Sequence, residues 1–291
     1  MLRQLIVNAD DFGHSLGVSR GIIRAHREGI VTSTSVMINM PAAAESIALA
    51  KAEAPRLGLG LHLNITSGPP VALPDEIPDL LGPDGLFRSQ EEVIASLPTL
   101  DMRQVERELR AQIARFEEIV GHKPDHLDSH HHITYLSPPM AALMVQLARE
   151  LGVPIRRPLP GGADEVARGA DMLMEALGPT IDRAYAEEMV ETLLSFVRSA
   201  GVVMPDHFIG DFYAERAILG ELLLMLLDVP EGVTELMCHP GEVDDALRAT
   251  SRYVEKREDE LRWLTHPSTR ELIHSEFIQL ITFADIQKSG P

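Results

Sequence analysis

Short apolar runs alternate along this chain with longer stretches of helical spacing, and that order constrains the fold more than any other feature. Residues 5–7, 34–39, 57–63, 126–128, 154–156, 207–209, 233–238 and 277–282 read as strands. Between them, residues 18–28, 42–54, 102–120, 138–151, 184–200, 214–227 and 255–264 read as helices, with Gly121 and Gly152 placed as stop signals. Strands that alternate with helices pair in parallel through right-handed crossovers. About seven or eight such strands in an α/β order favour a parallel (β/α) barrel over an open sheet. A barrel needs roughly 250 residues, so residues 1–291 are expected to form a single domain. No glycine-rich nucleotide-binding turn follows the first strand, which weakens a Rossmann or P-loop reading. Two segments, 67–88 and 159–169, read as loops that wall a cleft.

Several of these strands run into acidic or histidine-rich residues. The first leads into Asn8-Ala9-Asp10-Asp11-Phe12-Gly13, the third carries His62, the fourth leads into Asp128-Ser129-His130-His131-His132, and the seventh ends at His239-Pro240-Gly241. Each patch alone has a plainer reading. Asp10-Asp11 fits a polar turn ahead of a helix, His62 a hydrogen-bonded core imidazole, the histidine run a surface cluster, and His239 an ordinary turn residue. Together they are stronger, because an α/β barrel gathers its strand ends on one face, where such barrels carry their active sites. Adjacent carboxylates repel, and a nearby cation would relieve them. Imidazole and carboxylate ligands with open positions for water make a hydrolytic metal site. The same donors also suit non-haem iron oxygenases, but those sit on all-β scaffolds unlike this pattern. Only one of His130, His131 and His132 is expected to ligate, since consecutive strand-end side chains diverge. Asp128 is expected to orient an imidazole from behind. His239 is expected to titrate near neutral pH. Cys238 reads as core, Arg156 and Arg157 as solvated ion pairs, and His14, His26, His122, His266 and His274 as surface residues.

Composition narrows the partners. The formal net charge is −18, from 44 acidic and 26 basic residues, with no basic block to track a phosphate backbone, so no nucleic acid is expected. A single cysteine excludes an intramolecular disulfide and fits a reducing compartment. No secretory leader pattern is visible, and no apolar run approaches the roughly 18 residues of a membrane span. A cytoplasmic location is expected, and a homodimer is left open.

The motifs Ile6–Gly13, Gly29–Ser35, Gly60-Leu61-His62, Lys123–His132 and Met237–Gly241 follow one another in an order that resembles the YdjC-like carbohydrate deacetylases, the group of chitooligosaccharide and hopanoid-linked deacetylases. The resemblance spans residues 6–241 and implies a distorted (β/α) barrel. It implies a divalent metal, Mg or Zn, and hydrolysis of the N-acetyl group of an N-acetylated amino sugar. By position, Asp11, His62 and His130 match the family's metal ligands, Asp10 its presumed base and His239 its presumed acid. Ile133-Thr134-Tyr135 departs from the pattern, where relatives often carry a further histidine. Residues 159–183 match no motif, and their role is open. Two competing readings remain. A metal-dependent phosphoesterase or isomerase on the same barrel would want a basic cleft. A sugar-binding protein without turnover would have no need of Asp10 and His239.

Overall fold

A computed structural model of the protein describes residues 2–159, 164–178 and 181–287. Among the described residues, seven parallel strands form one sheet: β1 (Arg3–Phe12), β2 (Ser33–Val36), β3 (Gly58–Leu63), β4 (Leu127–Ser129), β5 (His207–Ile209), β6 (Gly232–Cys238) and β7 (Gln279–Leu280). The order is β4-β3-β2-β1-β6-β5, with β7 beside the start of β1. Beyond β4 the sheet continues through a parallel bridge between Leu127 and Ile155, and the Ile155 amide then bonds the Val203 carbonyl on the segment that leads into β5. The sheet therefore curls toward its own far edge as a distorted (β/α) barrel.

Helices cover the outside: α1 (Leu16–Glu28), α2 (Ala43–Glu53), α3 (Gln90–Ser96), α4 (Met102–Val120), α5 (Pro138–Leu151), α6 (Glu165–Leu177), α7 (Arg183–Ser199), α8 (Leu219–Leu227), α9 (Asp245–Thr250), α10 (Lys256–Leu264), α11 (Pro267–Ser275) and α12 (Phe283–Gln287). Local chemistry fixes their ends. Ser15 caps α1 by accepting from the Val18 amide at 3.2 Å. Gly121 and Gly152 close α4 and α5 with left-handed backbone, at φ 89° and 60°. The central strands are buried on both faces, as parallel strands under helices must be, and one apolar cluster runs from Leu5 in β1 to Ile273 in α11. Helix α4 is amphipathic, but its inner face also carries Glu108 and Gln112. Gln112 donates to the Asn64 carbonyl at 2.5 Å, and Glu108 accepts from the Ala72 amide at 2.9 Å. These bonds pin the chain as it leaves β3. No helix among the described residues is long and apolar enough to cross a membrane.

Several expectations need correction. The segment 159–169 is not a loop throughout: α6 begins at Glu165, while residues 160–163 lie outside the described residues. The expected helix over 214–227 is interrupted, because Ala214 takes φ 51° in a short 3-10 turn and the helix starts only at Leu219. Residues 154–156 make a single bridge and no strand. The segment 67–88 is a loop, built of 3-10 turns that bury Ile77 and Leu80.

Candidate active site

The site sits where β1, β3, β4 and β6 end. Side chains alternate along a strand, so Asp10 and Asp11 should point to opposite faces. They do not. The pairing of β1 with β2 slips between Ala9 and Phe12, and Asp11 takes φ 67°. That left-handed residue costs on the order of 1–3 kcal/mol and aims both carboxylates at one point. The pair lies at the C-terminal end of β1, as expected, although the strand itself runs to Phe12 and so extends past the residues 5–7 read from the sequence. Register then supplies the partners. His62 and Asp128 are directly paired across β3 and β4, and His62 Nδ1 meets Asp128 Oδ1 at 2.7 Å. Ala9 pairs with Cys238, so His239 emerges beside Asp10, with Nε2 4.0 Å from Asp10 Oδ2.

Asp11, His62 and His130 converge. Asp11 Oδ1 lies 3.5 Å from His62 Nε2 and 3.1 Å from His130 Nδ1, and the two ring nitrogens are 3.3 Å apart. Ligands about 2.0–2.2 Å from one ion stand about 3.0–3.5 Å from each other, so the triangle has the right size for a metal. Among the described residues Asp11 Oδ1 is buried with only the two ring nitrogens beside it and no well-aligned hydrogen bond, which is what an oxygen that shares a cation with those rings looks like. Asp128 fixes His62 with Nε2 turned toward the triangle, the expected support for a ligating imidazole. Asp10, His62 and Asp128 form a second close trio. Arg156 already pairs with both of its carboxylates, so a further cation there would meet repulsion.

Two arginines separate the adjacent aspartates chemically. Arg156 is fully buried. Its Nη1 and Nη2 hold the two Asp10 oxygens at 2.7 and 2.6 Å, its Nε holds Glu235 at 2.8 Å, and Asp128 lies 3.1 Å away. Arg157 is buried too and pairs with Glu165, so neither arginine is the solvated residue that was expected. Arg257, from α10, holds Asp11 Oδ2 at 2.6 Å and leaves Oδ1 free. Burial alone would raise the pKa of both aspartates. Arg156 outweighs it for Asp10, Arg257 for Asp11, and both carboxyls are held well below their ordinary range. Burial works against a charge on His62 as well, but Asp128, Asp10 and Asp11 prevail and lift its pKa to about 9. Burial dominates at His239 and lowers it to about 4 against the pull of Asp10 and Asp11. It is therefore neutral at pH 7, where near-neutral titration had been expected.

Asp10, Asp11, His62, His130 and His239 thus come together from four separate parts of the chain. Sequence reasoning missed Arg257, Glu260 and Glu235. His14, expected at the surface, is buried against the site with Nε2 2.9 Å from Thr250 Oγ1. His126 is a core residue that packs on Phe283 at 3.8 Å.

Fold and site together define a parallel α/β barrel protein with a buried cluster of two imidazoles and a carboxylate at its strand ends. The chain belongs to the YdjC-like protein family, whose sequence profile matches residues 4–275. It is 37% identical over 284 residues to a carbohydrate deacetylase of Brevibacillus brevis, covering 97% of this chain and 99% of the relative. A chitooligosaccharide deacetylase of Proteus mirabilis is 33% identical over 289 residues, with 98% and 100% covered. A solved structure of an Enterococcus faecalis protein, provisionally named for cellobiose-phosphate cleavage, superposes with a TM-score of 0.83 at 28% identity, covering 98% and 99% of the two chains.

Proposed function

We propose that this protein is a metal-dependent carbohydrate deacetylase that hydrolyses the N-acetyl group of an N-acetylated amino sugar and releases acetate. The observation that carries the reading is the Asp11–His62–His130 triangle with its buried Asp11 oxygen, flanked by Asp10 and His239. The names of the full-length relatives point the same way. Mg or Zn is the expected ion, and two imidazoles weigh toward zinc. A bound divalent ion would lower the pKa of a water toward about 7 and polarise the acetyl carbonyl. Asp10, kept ionised and oriented by Arg156, accepts the proton of the attacking water. His239 delivers a proton to the departing amine nitrogen. Being neutral at pH 7, the imidazole must first gain that proton, and Asp10 Oδ2 at 4.0 Å is within reach through one bridging water. The phosphoesterase alternative loses ground because Arg156 is fully engaged by carboxylates. The buried, unpaired thiol of Cys238 suits a cytoplasmic address.

Acetate release from N-acetylglucosamine oligomers, with bound metal measured in parallel, tests the reading. The wild-type protein should release acetate only when loaded with a divalent metal. His62→Ala should stay folded, lose most metal and lose activity. Full metal occupancy in that variant would remove His62 from the ligand set, and turnover by the metal-free protein would remove the metal from the reaction.

A further inference from the structure

The chain has only four tyrosines. Two of them, Tyr213 and Tyr253, stack with centroids 4.3 Å apart and ring planes 20° from parallel. His239 stands edge-on to both, at 5.4 and 5.8 Å. The pair is rigidly held. Tyr253 donates its hydroxyl to Glu260 Oε1 at 2.5 Å and accepts from the Ala214 amide at 3.1 Å. The other Glu260 oxygen accepts the backbone amide of His239. One buried carboxylate of α10 thus ties the aromatic pair and His239 into one unit. Tyr213 is nevertheless 43% exposed. Tyr253 covers one of its faces, so that exposure belongs to the other face and its rim. The side chains of Asp10, Asp11 and His62 are 2–4% exposed, while His130 and His239 reach 11% and 14%. His130 and His239 are thus the members of the cluster that meet solvent, and Tyr213 stands 5.4 Å from the latter.

A pyranose ring with equatorial substituents presents a flat patch of axial C–H groups, which suits the negative face of an aromatic ring. We propose that Tyr213 is the stacking platform for a pyranose ring at this site and that it makes the site prefer sugars to other acetamides. The inference deepens the deacetylase reading and rests on it. The ring itself is the active feature. The hydroxyl is not needed for stacking, and an apolar side chain without a plane is not a substitute.

The test compares wild type with Tyr213→Phe, Tyr213→Leu and Tyr213→Ala in the metal-loaded full chain, with melting temperature as the check on folding. Binding of N-acetylglucosamine oligomers is followed by saturation-transfer NMR, and acetate release is measured on the oligomer and on N-acetylethanolamine, an acyclic acetamide. Tyr213→Leu and Tyr213→Ala should raise KM for the oligomer on the order of tenfold and leave kcat within about threefold. Tyr213→Phe should match wild type, and in Tyr213→Leu and Tyr213→Ala the advantage of the oligomer over the acyclic acetamide in kcat/KM should shrink by about tenfold. An unchanged KM in a folded Tyr213→Ala, or a Tyr213→Phe as weak as Tyr213→Ala, would overturn the platform. Oligomer binding that depends on Tyr213 without acetate release would instead fault the deacetylase reading and leave the platform standing. Wild type that neither binds nor cleaves the oligomer would overturn both.

Discussion

At Asp10 and Asp11 two adjacent carboxylates are given different partners, and their chemistry follows from that. Arg156 takes both oxygens of Asp10, whereas Arg257 takes one oxygen of Asp11 and leaves the other facing His62 and His130. Asp10 should therefore act on protons without holding the metal. Asp10→Asn keeps the shape but cannot accept a proton, and it should lower kcat by about 10²–10⁴-fold with metal content unchanged. His239→Ala should lose a similar factor on amide substrates and less on substrates with a better leaving group, because an acid matters only when the leaving group needs a proton. Equal losses on both substrate types would make His239 a binding residue. Metal loss in Asp10→Asn would move Asp10 into the ligand set. Much of this residue-level picture was legible. The motif residues named the cluster, and Asp128 was recognisable as the support of an imidazole. The arginines were not legible, because a charged residue reads as solvated unless its buried partners are known, and two of those of Arg156, Asp10 and Glu235, lie 146 and 79 residues away in sequence.

The elements show the same division between local and remote causes. Helices α4 and α5 match the sequence reading at both ends, since Gly121 and Gly152 stop them by local chemistry. The β1 bulge left no trace in sequence, as a register slip depends on the neighbouring strand. Helix α10 carries a signal of its own in the sequence. Its buried residues Arg257, Glu260, Leu261 and Leu264 follow i, i+3, i+4, i+7, an inward stripe that includes two charges. Both charges serve the site, Arg257 by holding Asp11 and Glu260 by accepting the His239 amide. Strand β3 offers an element-scale test. A Cβ on Gly60 would lie 2.0 Å from the His126 ring, which is itself stacked on Phe283, so His126 has little room to yield. Gly60→Ala should force β3 and β4 apart, cost about 1–3 kcal/mol or more, and weaken metal binding by displacing His62 from Asp128. Gly121→Ala strains only a left-handed cap with open space around it, and should cost about 1 kcal/mol with metal affinity unchanged. Equal metal affinity in both variants would show that β3 packing does not position His62.

For the whole molecule, the parallel order β4-β3-β2-β1-β6-β5 brings residues from both halves of the chain to one end of the sheet. Metal binding should therefore stabilise the entire fold, because Asp11, His62 and His130 meet only when β1, β2, β3 and β4 are assembled in one sheet. A ligand that binds only the native state adds about 2.7 kcal/mol at 100 times its dissociation constant. At about 2–4 °C per kcal/mol for a chain of this size, zinc should raise the melting temperature by about 5–10 °C, and a chelator should reverse the rise. The net charge of −18 complicates the reading, since any divalent cation screens self-repulsion and stabilises the protein somewhat. His130→Ala separates the two effects. It removes one ligand at the more exposed edge of the triangle and leaves both arginine–aspartate pairs in place. Screening does not depend on that imidazole, so a small rise at millimolar cation should survive in the variant. The larger rise at micromolar zinc should vanish. A full-sized zinc shift in His130→Ala would mean that the metal binds elsewhere on the acidic surface, and the triangle would lose its assigned role.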